Sequence, residues 1–156
     1  MSSKGNYLRA IEEWADIYMG RSLSEYFAFL RGTGMSMQQA HALTFLFYNA
    51  PSKISEICAH MMVSAAAASQ MVDRLEKQNL VARIPEPEDR RVRNVVLSEQ
   101  GQEFVRQSIK ARRSWVENQP TEFSNEQLDQ ISSALRLLSN VYRENRGELP
   151  IQSRIP

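Results

Sequence analysis

The sequence contains few of the residues on which metal sites, disulfide frameworks and membrane spans depend. It has one cysteine and two histidines among 156 residues. A single cysteine excludes an internal disulfide and any multi-cysteine zinc or iron–sulfur site, and it is weakly typical of a reducing compartment. The longest stretch without a charged residue, 32–52, contains glutamine, asparagine and proline, which are unfavourable in a membrane span. We therefore expect a cytoplasmic protein without membrane contact, bound metal or other cofactor.

Motifs for catalysis are also missing. The sequence has no glycine-rich phosphate loop, no nucleophile elbow and no histidine-rich metal box, so we expect no enzymatic activity. What is present is an ordinary globular balance of 42% hydrophobic and 24% charged residues. The length is typical of one domain.

The formal net charge of +1 conceals an uneven distribution along the chain. Residues 1–73 have a net charge of −1, residues 74–113 of +4 and residues 114–156 of −2. A basic segment flanked by acidic ones indicates contact with a polyanion at one place. A solvated helix face would produce the same pattern, so charge alone leaves both interpretations open.

Hydrophobic periodicity predicts a mainly helical chain. Helical spacing covers residues 7–30, 36–48, 53–61, 65–78, 98–118 and a segment from 124 to the glycine at 147, with Gly20 as a possible bend in the first. The first helix would be about 36 Å long, which is too long for a small core unless another chain covers part of it. The predicted helix caps are Ser36, Ser52, Ser64, Ser98 and Ser124.

A helix, a tight turn and a second helix precede a predicted β-hairpin. Met62-Val63 connects helices 53–61 and 65–78, and strands 80–84 and 91–97 follow. This order predicts a winged helix-turn-helix. In such a unit the second helix fits the DNA major groove, and the hairpin tip, or wing, reaches phosphates or the minor groove.

This region contains two motifs: Val72-Asp73-Arg74-Leu75-Glu76-Lys77-Gln78-Asn79-Leu80-Val81-x-Arg83, and Pro87-Glu88-Asp89-Arg90-Arg91 followed by Val95-x-Leu97-Ser98-x-x-Gly101. Together they resemble the multiple-antibiotic-resistance regulator (MarR) family. The resemblance implies a homodimeric transcription factor, by family default a repressor, that binds a pseudo-palindromic duplex. It implies a single domain, 1–156, with dimerisation helices at 1–34 and 120–156, a DNA-binding lobe at 35–100 and a connecting helix at 98–119.

The resemblance also implies roles for individual residues. Asp89 and Arg91 match the Asp-x-Arg wing signature, in which the arginine enters the minor groove and the aspartate helps to hold it. Arg90 and Arg93 would contact phosphate or brace the wing. Arg74 would reach phosphate or pair with an acidic side chain. The positions expected to face the major groove are Ser64, Ala65, Ala66, Ser69 and Gln70, and a capping role for Ser64 is compatible with a phosphate contact.

Three positions depart from the family pattern. Polar or basic side chains are usual at 65–67, where this chain has alanines. Alanine can meet a thymine methyl group but offers no hydrogen bond. Met62 stands where glycine is common, so we expect the turn to differ or to carry strain. Asn79 also replaces a usual glycine, and asparagine tolerates the left-handed conformation.

Members of this family commonly bind small aromatic or phenolic effectors between the dimerisation helices and the DNA-binding lobe. The corresponding candidates here are Trp14, Tyr18, His41, Phe45, Tyr48 and Arg112, although an aromatic stripe is also typical of a plain core.

The positions of Cys58 and the two histidines in the sequence disfavour redox and metal sensing. Cys58 lies on an apolar helix stripe, which is typical of a buried, inert thiol rather than a redox switch. Its spacing from His60 places the two on different helix faces, which disfavours a zinc site that also includes His41. The alternative function is a winged-helix module that docks a protein, without DNA specificity.

Overall fold

The computed structural model describes residues 3–86, 93–118 and 122–146, which form six α-helices and one small sheet. This confirms the predicted mainly helical fold with a β wing. Within these ranges no helix has the length and apolar character needed to cross a membrane. The helices are α1 (Ser3–Thr33), α2 (Met37–Asn49), α3 (Ile54–Met61), α4 (Ala65–Lys77), α5 (Glu99–Glu117) and α6 (Asn125–Arg146), and the strands are β1 (Ser52–Lys53), β2 (Val81–Pro85) and β3 (Arg93–Leu97).

Serine side chains begin most of these helices, as predicted. The Ser36 hydroxyl accepts from the N–H of Gln39 at 3.2 Å, and the Gln39 side chain returns a bond to the Ser36 N–H at 3.1 Å. The Ser64 hydroxyl accepts from the Ala67 N–H at 3.2 Å. Each bond satisfies a backbone donor that has no partner inside its helix.

The predicted cap at Ser52 is wrong. Ser52 lies in β1, where it pairs with Val95, and its hydroxyl donates to the Asn49 carbonyl at 2.7 Å. Lys53 holds the cap position instead, and its N–H donates to the Glu56 carboxylate at 2.7 Å. Extended pairing with β3 therefore delays the start of α3 until Ile54.

The sheet has three antiparallel strands in the order β1-β3-β2. The hairpin of β2 and β3 was predicted, with Val81 opposite Leu97 at its base and Pro85 opposite Arg93 at its outer end. The short strand β1 was not predicted. It anchors the wing to the residues that lead into α3, because Ser52 and Lys53 pair with Val95 and Asn94.

The chain divides into two compact units, Met1–Glu117 and Asn118–Pro156. The hydrophobic core of the first unit lies where α2, α3, α4 and α5 meet the sheet, and Leu43, Ile57 and Leu75 are fully buried in it. The helix α1 is continuous through Gly20 and contributes only its C-terminal half, with Ser22, Tyr26 and Leu30 buried. The domain boundaries given above stay a prediction.

The second unit contains α6. Ser124 caps this helix, since its hydroxyl accepts from the Gln127 N–H at 3.3 Å and its own N–H donates to the Gln127 side chain at 2.9 Å. The predicted capping box is confirmed.

The first turn of α5 passes unusually close to the backbone before β2. Gly101 is buried, and a Cβ atom at this position would overlap the Leu80 carbonyl oxygen and lie 3.3 Å from Cδ2 of Leu97. Ser98 closes the same junction, because its N–H donates to the Leu80 carbonyl at 3.1 Å and its hydroxyl accepts from the Gly101 N–H at 3.0 Å. A residue without a side chain is therefore required at 101.

Gly101→Ala is expected to lower the free energy of unfolding by about 2–3 kcal/mol, since a clash with backbone cannot be relieved by rotating a side chain. Urea unfolding at a fixed protein concentration measures this. Gly32→Ala is the matched control, because it adds a Cβ to open space in α1 and should be neutral or stabilising by up to about 1 kcal/mol. Equal effects of the two substitutions would contradict the close approach.

Candidate nucleic-acid interface

The turn between α3 and α4 contains a non-glycine residue in the left-handed region. Met62 has φ 52° and ψ 44°, a conformation that costs such a residue roughly 1–2 kcal/mol. Two bonds hold the turn closed: the Val63 N–H donates to the Cys58 carbonyl at 3.2 Å, and the Cys58 thiol donates to the Val63 carbonyl at 2.7 Å. The expected strain at Met62 is thus present, and its side chain is 91% exposed. Asn79 is also left-handed, with φ 58°.

The helix α4 has one buried face and one face open to solvent. Ala68, Val72 and Leu75 are buried. Ala66 and Gln70 lie on the opposite side and are exposed. Of the other positions predicted to face the major groove, Ser64 and Ala65 are exposed at the start of the helix and Ser69 is half-buried.

Arg74 lies on this helix beside the N-terminus of α2. It is exposed and borders a cleft of about 270 Å³ that Gln39 and Gln70 also line. Over the described ranges Arg74 forms no salt bridge. Of the two predicted roles, pairing with an acidic side chain is therefore not seen, and the guanidinium is open to solvent.

The acidic neighbours of Arg74 are bound by an arginine of the wing. Arg83 on β2 donates from Nη1 to the Glu76 carboxylate and from Nη2 to the Asp73 carboxylate. Burial lowers the pKa of Arg83, but hydrogen bonds and Coulombic attraction from Asp73 and Glu76 outweigh it and raise the pKa above its ordinary value. The fork links β2 of the wing to α4 and compensates one of the two negative charges of Asp73 and Glu76. Sequence reasoning assigned Arg83 no role.

Polar contacts also stabilise the outer end of the β2–β3 hairpin. Asn94 is buried on β3, and its side-chain amide donates to the Glu86 carboxylate at 2.8 Å. Lys53 reaches the same carboxylate at 3.8 Å. Arg93 is exposed at the outer end of β3. The predicted wing residues Asp89, Arg90 and Arg91 lie outside the described residues, so their roles stay predictions.

Ring contacts divide the six effector candidates among separate clusters. Trp14 and Tyr18 on α1 pack against Trp115 on α5, with ring centroids 6.0 and 5.7 Å apart. His41 and Phe45 on α2 pack against His60 on α3. The other two candidates contact different rings: Tyr48 packs edge-on against Phe47, and the Arg112 guanidinium lies 4.5 Å from the ring centre of Tyr26.

The Trp115 cluster contains a polar group that sequence reasoning missed. The indole Nε1 of Trp115 is buried and has no hydrogen-bond partner among the described residues. The contact between Tyr26 and Arg112 also affects the acidity of the phenol. Burial raises the pKa of Tyr26, and the positive charge of Arg112 opposes that rise without reversing it.

The two histidines meet across α2 and α3, with Nε2 of His41 3.1 Å from Nε2 of His60. Cys58 is not part of this contact, because its thiol is directed to Val63. No group of three or more residues suited to hold a metal ion occurs in the part of the chain that the structure describes.

Comparison with known proteins finds similarity to a family of transcriptional regulators over the part of the chain that contains this site. Residues 35–92 match the model of the MarR family. The chain is 24% identical over 140 residues to YsmB of Bacillus subtilis, an uncharacterised HTH-type transcriptional regulator. This alignment covers 85% of this chain and 94% of YsmB. The chain is 38% identical over 68 residues to the HTH-type transcriptional repressor MdtR of Bacillus subtilis, which is 44% of each chain. The structure superposes on the transcriptional regulator Tm0710 of Thermotoga maritima with a TM-score of 0.75 and 23% identity, over 93% of this chain and 99% of the other.

Breaking the fork with Arg83→Met is expected to lower the free energy of unfolding by about 1 kcal/mol, a modest value because Asp73 and Glu76 are 50% and 39% exposed. A double-mutant cycle with Glu76→Gln should give a coupling energy of about 0.5–1 kcal/mol. The control cycle uses Arg106 and Glu103, an exposed pair on one helix at 3.4 Å, and should give less than about 0.5 kcal/mol. A coupling of zero between Arg83 and Glu76 would contradict the fork.

Proposed function

Since residues 35–92 of this chain match the model of the MarR family, we propose that the protein is a cytoplasmic, sequence-specific DNA-binding transcriptional regulator that places α4 in the major groove. One observation carries the proposal: the acidic and basic side chains of α4 are sorted. Asp73 and Glu76 are bound by Arg83, whereas Arg74 and Lys77 are exposed and, over the described residues, form no salt bridge.

This sorting makes the solvent face of α4 suitable for a polyanion. Free carboxylates beside a groove would repel phosphates, but the guanidinium of Arg83 offsets one of the two negative charges of Asp73 and Glu76, so that Arg83 and the charged side chains of α4 are together net positive. Two cationic side chains remain available for phosphate contacts, which supply much of the affinity in protein–DNA complexes. Arg93 extends the basic surface onto the wing. Arg90 and Arg91 are expected to continue it to the minor groove, with Asp89 helping to hold Arg91.

We further propose that the protein acts as a homodimer. The helix α1 spans 31 residues, about 46 Å, but none of residues 3–21 is buried, and Leu8, Ile17 and Met19 are 47–58% exposed. The helix α6 also exposes Leu128, Ile131 and Leu135. Exposed apolar helix faces of this length are typical of surfaces that another chain buries. In a homodimer, segments 1–34 and 120–156 of the two copies would bury each other's apolar faces. Two-fold symmetry then predicts a pseudo-palindromic site with half-sites about one helical turn apart.

Repression and release by a small aromatic effector complete the proposal. The likeness to the repressor MdtR over 68 residues supports repression. Among the effector candidates, Trp14 and Tyr18 are best supported, because none of the described residues accepts a hydrogen bond from the Trp115 N–H beside them, and a phenolic or carboxylate oxygen would do so. Such a ligand releases DNA only if it binds the released arrangement of the dimer better than the bound one.

Selection from random duplexes at two salt concentrations is expected to enrich a two-fold symmetric site. On that site Arg74→Ala should weaken binding to specific and unrelated duplexes alike and reduce the slope of log affinity against log salt by about two, one for each protomer. Arg113→Ala removes an exposed guanidinium from α5 and should leave the slope unchanged. No enrichment and no binding at low salt would favour the protein-docking alternative.

Sedimentation equilibrium tests the dimer, whose expected mass is about twice the 17.9 kDa of one chain. Ile17→Asp should shift the mass toward the monomer, because it buries a charge in the proposed interface. Met62→Asp is the control: it places the same group at an exposed position of the turn and should leave the mass unchanged. A monomeric native protein would contradict the proposal.

A further inference from the structure

The first turn of α4 presents methyl groups where a DNA-reading helix ordinarily presents hydrogen-bonding side chains. Ala65, Ala66 and Ala67 are all exposed, and Met62 just before them is 91% exposed. Ser64 is the polar residue of this surface, and its hydroxyl oxygen already accepts from the Ala67 N–H. The leading end of the helix is therefore apolar as well as accessible.

Helix geometry selects Ala66 and Gln70 as the pair that points straight away from the core. Both lie opposite the buried residues Ala68, Val72 and Leu75, and they are one turn apart on the same face. Their separation along the helix axis is about 6 Å, close to two base-pair steps of about 3.4 Å each. These two side chains can thus meet neighbouring bases in one groove.

From this arrangement we infer that Ala66 recognises the C5-methyl group of a thymine and that Gln70 pairs with an adenine one or two base pairs away. The inference rests on the proposed DNA-binding function and names the base pairs that the site selects. In the major groove, thymine is distinguished by an apolar group, which alanine can contact without leaving a polar atom unpaired. Glutamine bonds to N6 and N7 of adenine with both ends of its amide. The half-site therefore contains A·T pairs at the two positions under the first two turns of α4.

Replacing thymine by deoxyuridine removes only the methyl group, so it tests this contact without altering base pairing. In the duplex enriched by selection, deoxyuridine is introduced at each thymine of the half-site in turn. We expect a loss of affinity of about fourfold at one thymine, the worth of one buried methyl group, and of about sixteenfold when both half-sites are changed.

The protein variant Ala66→Ser completes the cycle. Serine replaces the methyl surface with a hydroxyl, so the ratio of affinities for thymine and deoxyuridine at that position should fall to about one. Ala59→Ser makes the same change at an exposed position of α3, outside the proposed reading surface and the dimer segments, and should keep the full ratio. Circular dichroism of each variant verifies that helix content is retained.

The outcomes separate the inference from the function on which it rests. If selection enriches a site but deoxyuridine has no effect at any of its thymines, the methyl contact is overturned and the DNA-binding function is not. The alanines would then serve only as strong helix formers. A deoxyuridine effect that persists in Ala66→Ser also overturns the assignment to Ala66. Failure to enrich any site overturns both the inference and the proposed function.

Discussion

The approach of α5 to the backbone at Leu80 is the constraint that positions the helices and strands around the proposed DNA-binding surface. Within four residues the chain ends α4, reverses at the left-handed Asn79 and starts β2, and the start of α5 closes over that reversal. Ser98 bonds to the Leu80 carbonyl through its N–H and to the Asn79 carbonyl through its hydroxyl. Because Gly101 has no side chain, α4, the wing and α5 meet at one point. None of the three can be displaced there without disturbing the other two.

This junction would transmit a movement of α5 at the proposed effector site to α4 and the wing, the elements proposed to contact DNA. The helix α5 packs along α1 through Phe104 against Phe29, at 5.3 Å between ring centroids, and through Trp115 against Tyr18, at 5.7 Å. Gly101 and Trp115 are about 21 Å apart along the helix axis. A ligand that tilts α5 at Trp115 would therefore move the end held at Leu80, and the Arg83 fork would carry the wing and α4 together. In a dimer, such a tilt changes the distance between two recognition helices, which must match half-sites of fixed spacing.

What the sequence could predict depends on the range of the interaction. Ser36, Ser64 and Ser124 cap their helices through bonds that span three residues, so local spacing was enough to find them. β1 has only two residues and exists through pairing with β3 about forty positions later, which no local pattern reveals. The fork of Arg83 could not be predicted from the sequence for a related reason. Asp73 and Glu76 stand beside Arg74 in sequence, and only the return of the chain along β2 gives them a different partner. At the site itself, the exposed face of α4 followed from periodicity, whereas the division of the aromatic residues into separate clusters depends on how α1, α2, α3 and α5 pack.

A recognition surface built from methyl groups changes how specificity must be shared. An apolar contact with thymine is worth about as much as one buried methyl group, whereas a bidentate hydrogen-bonded pair discriminates by about 1–3 kcal/mol. With Ala66 and Gln70 as its proposed reading residues, α4 specifies only two base pairs of each half-site. Phosphate contacts by Arg74 would add affinity but no sequence preference. The remaining specificity has to come from the wing and from the ease with which an A·T-rich site narrows its minor groove to receive an arginine. The attachment of the wing to α4 by Arg83 then has a functional reason. Methyl recognition in the major groove and shape recognition in the minor groove add to the specificity only if α4 and the wing keep a fixed position relative to each other.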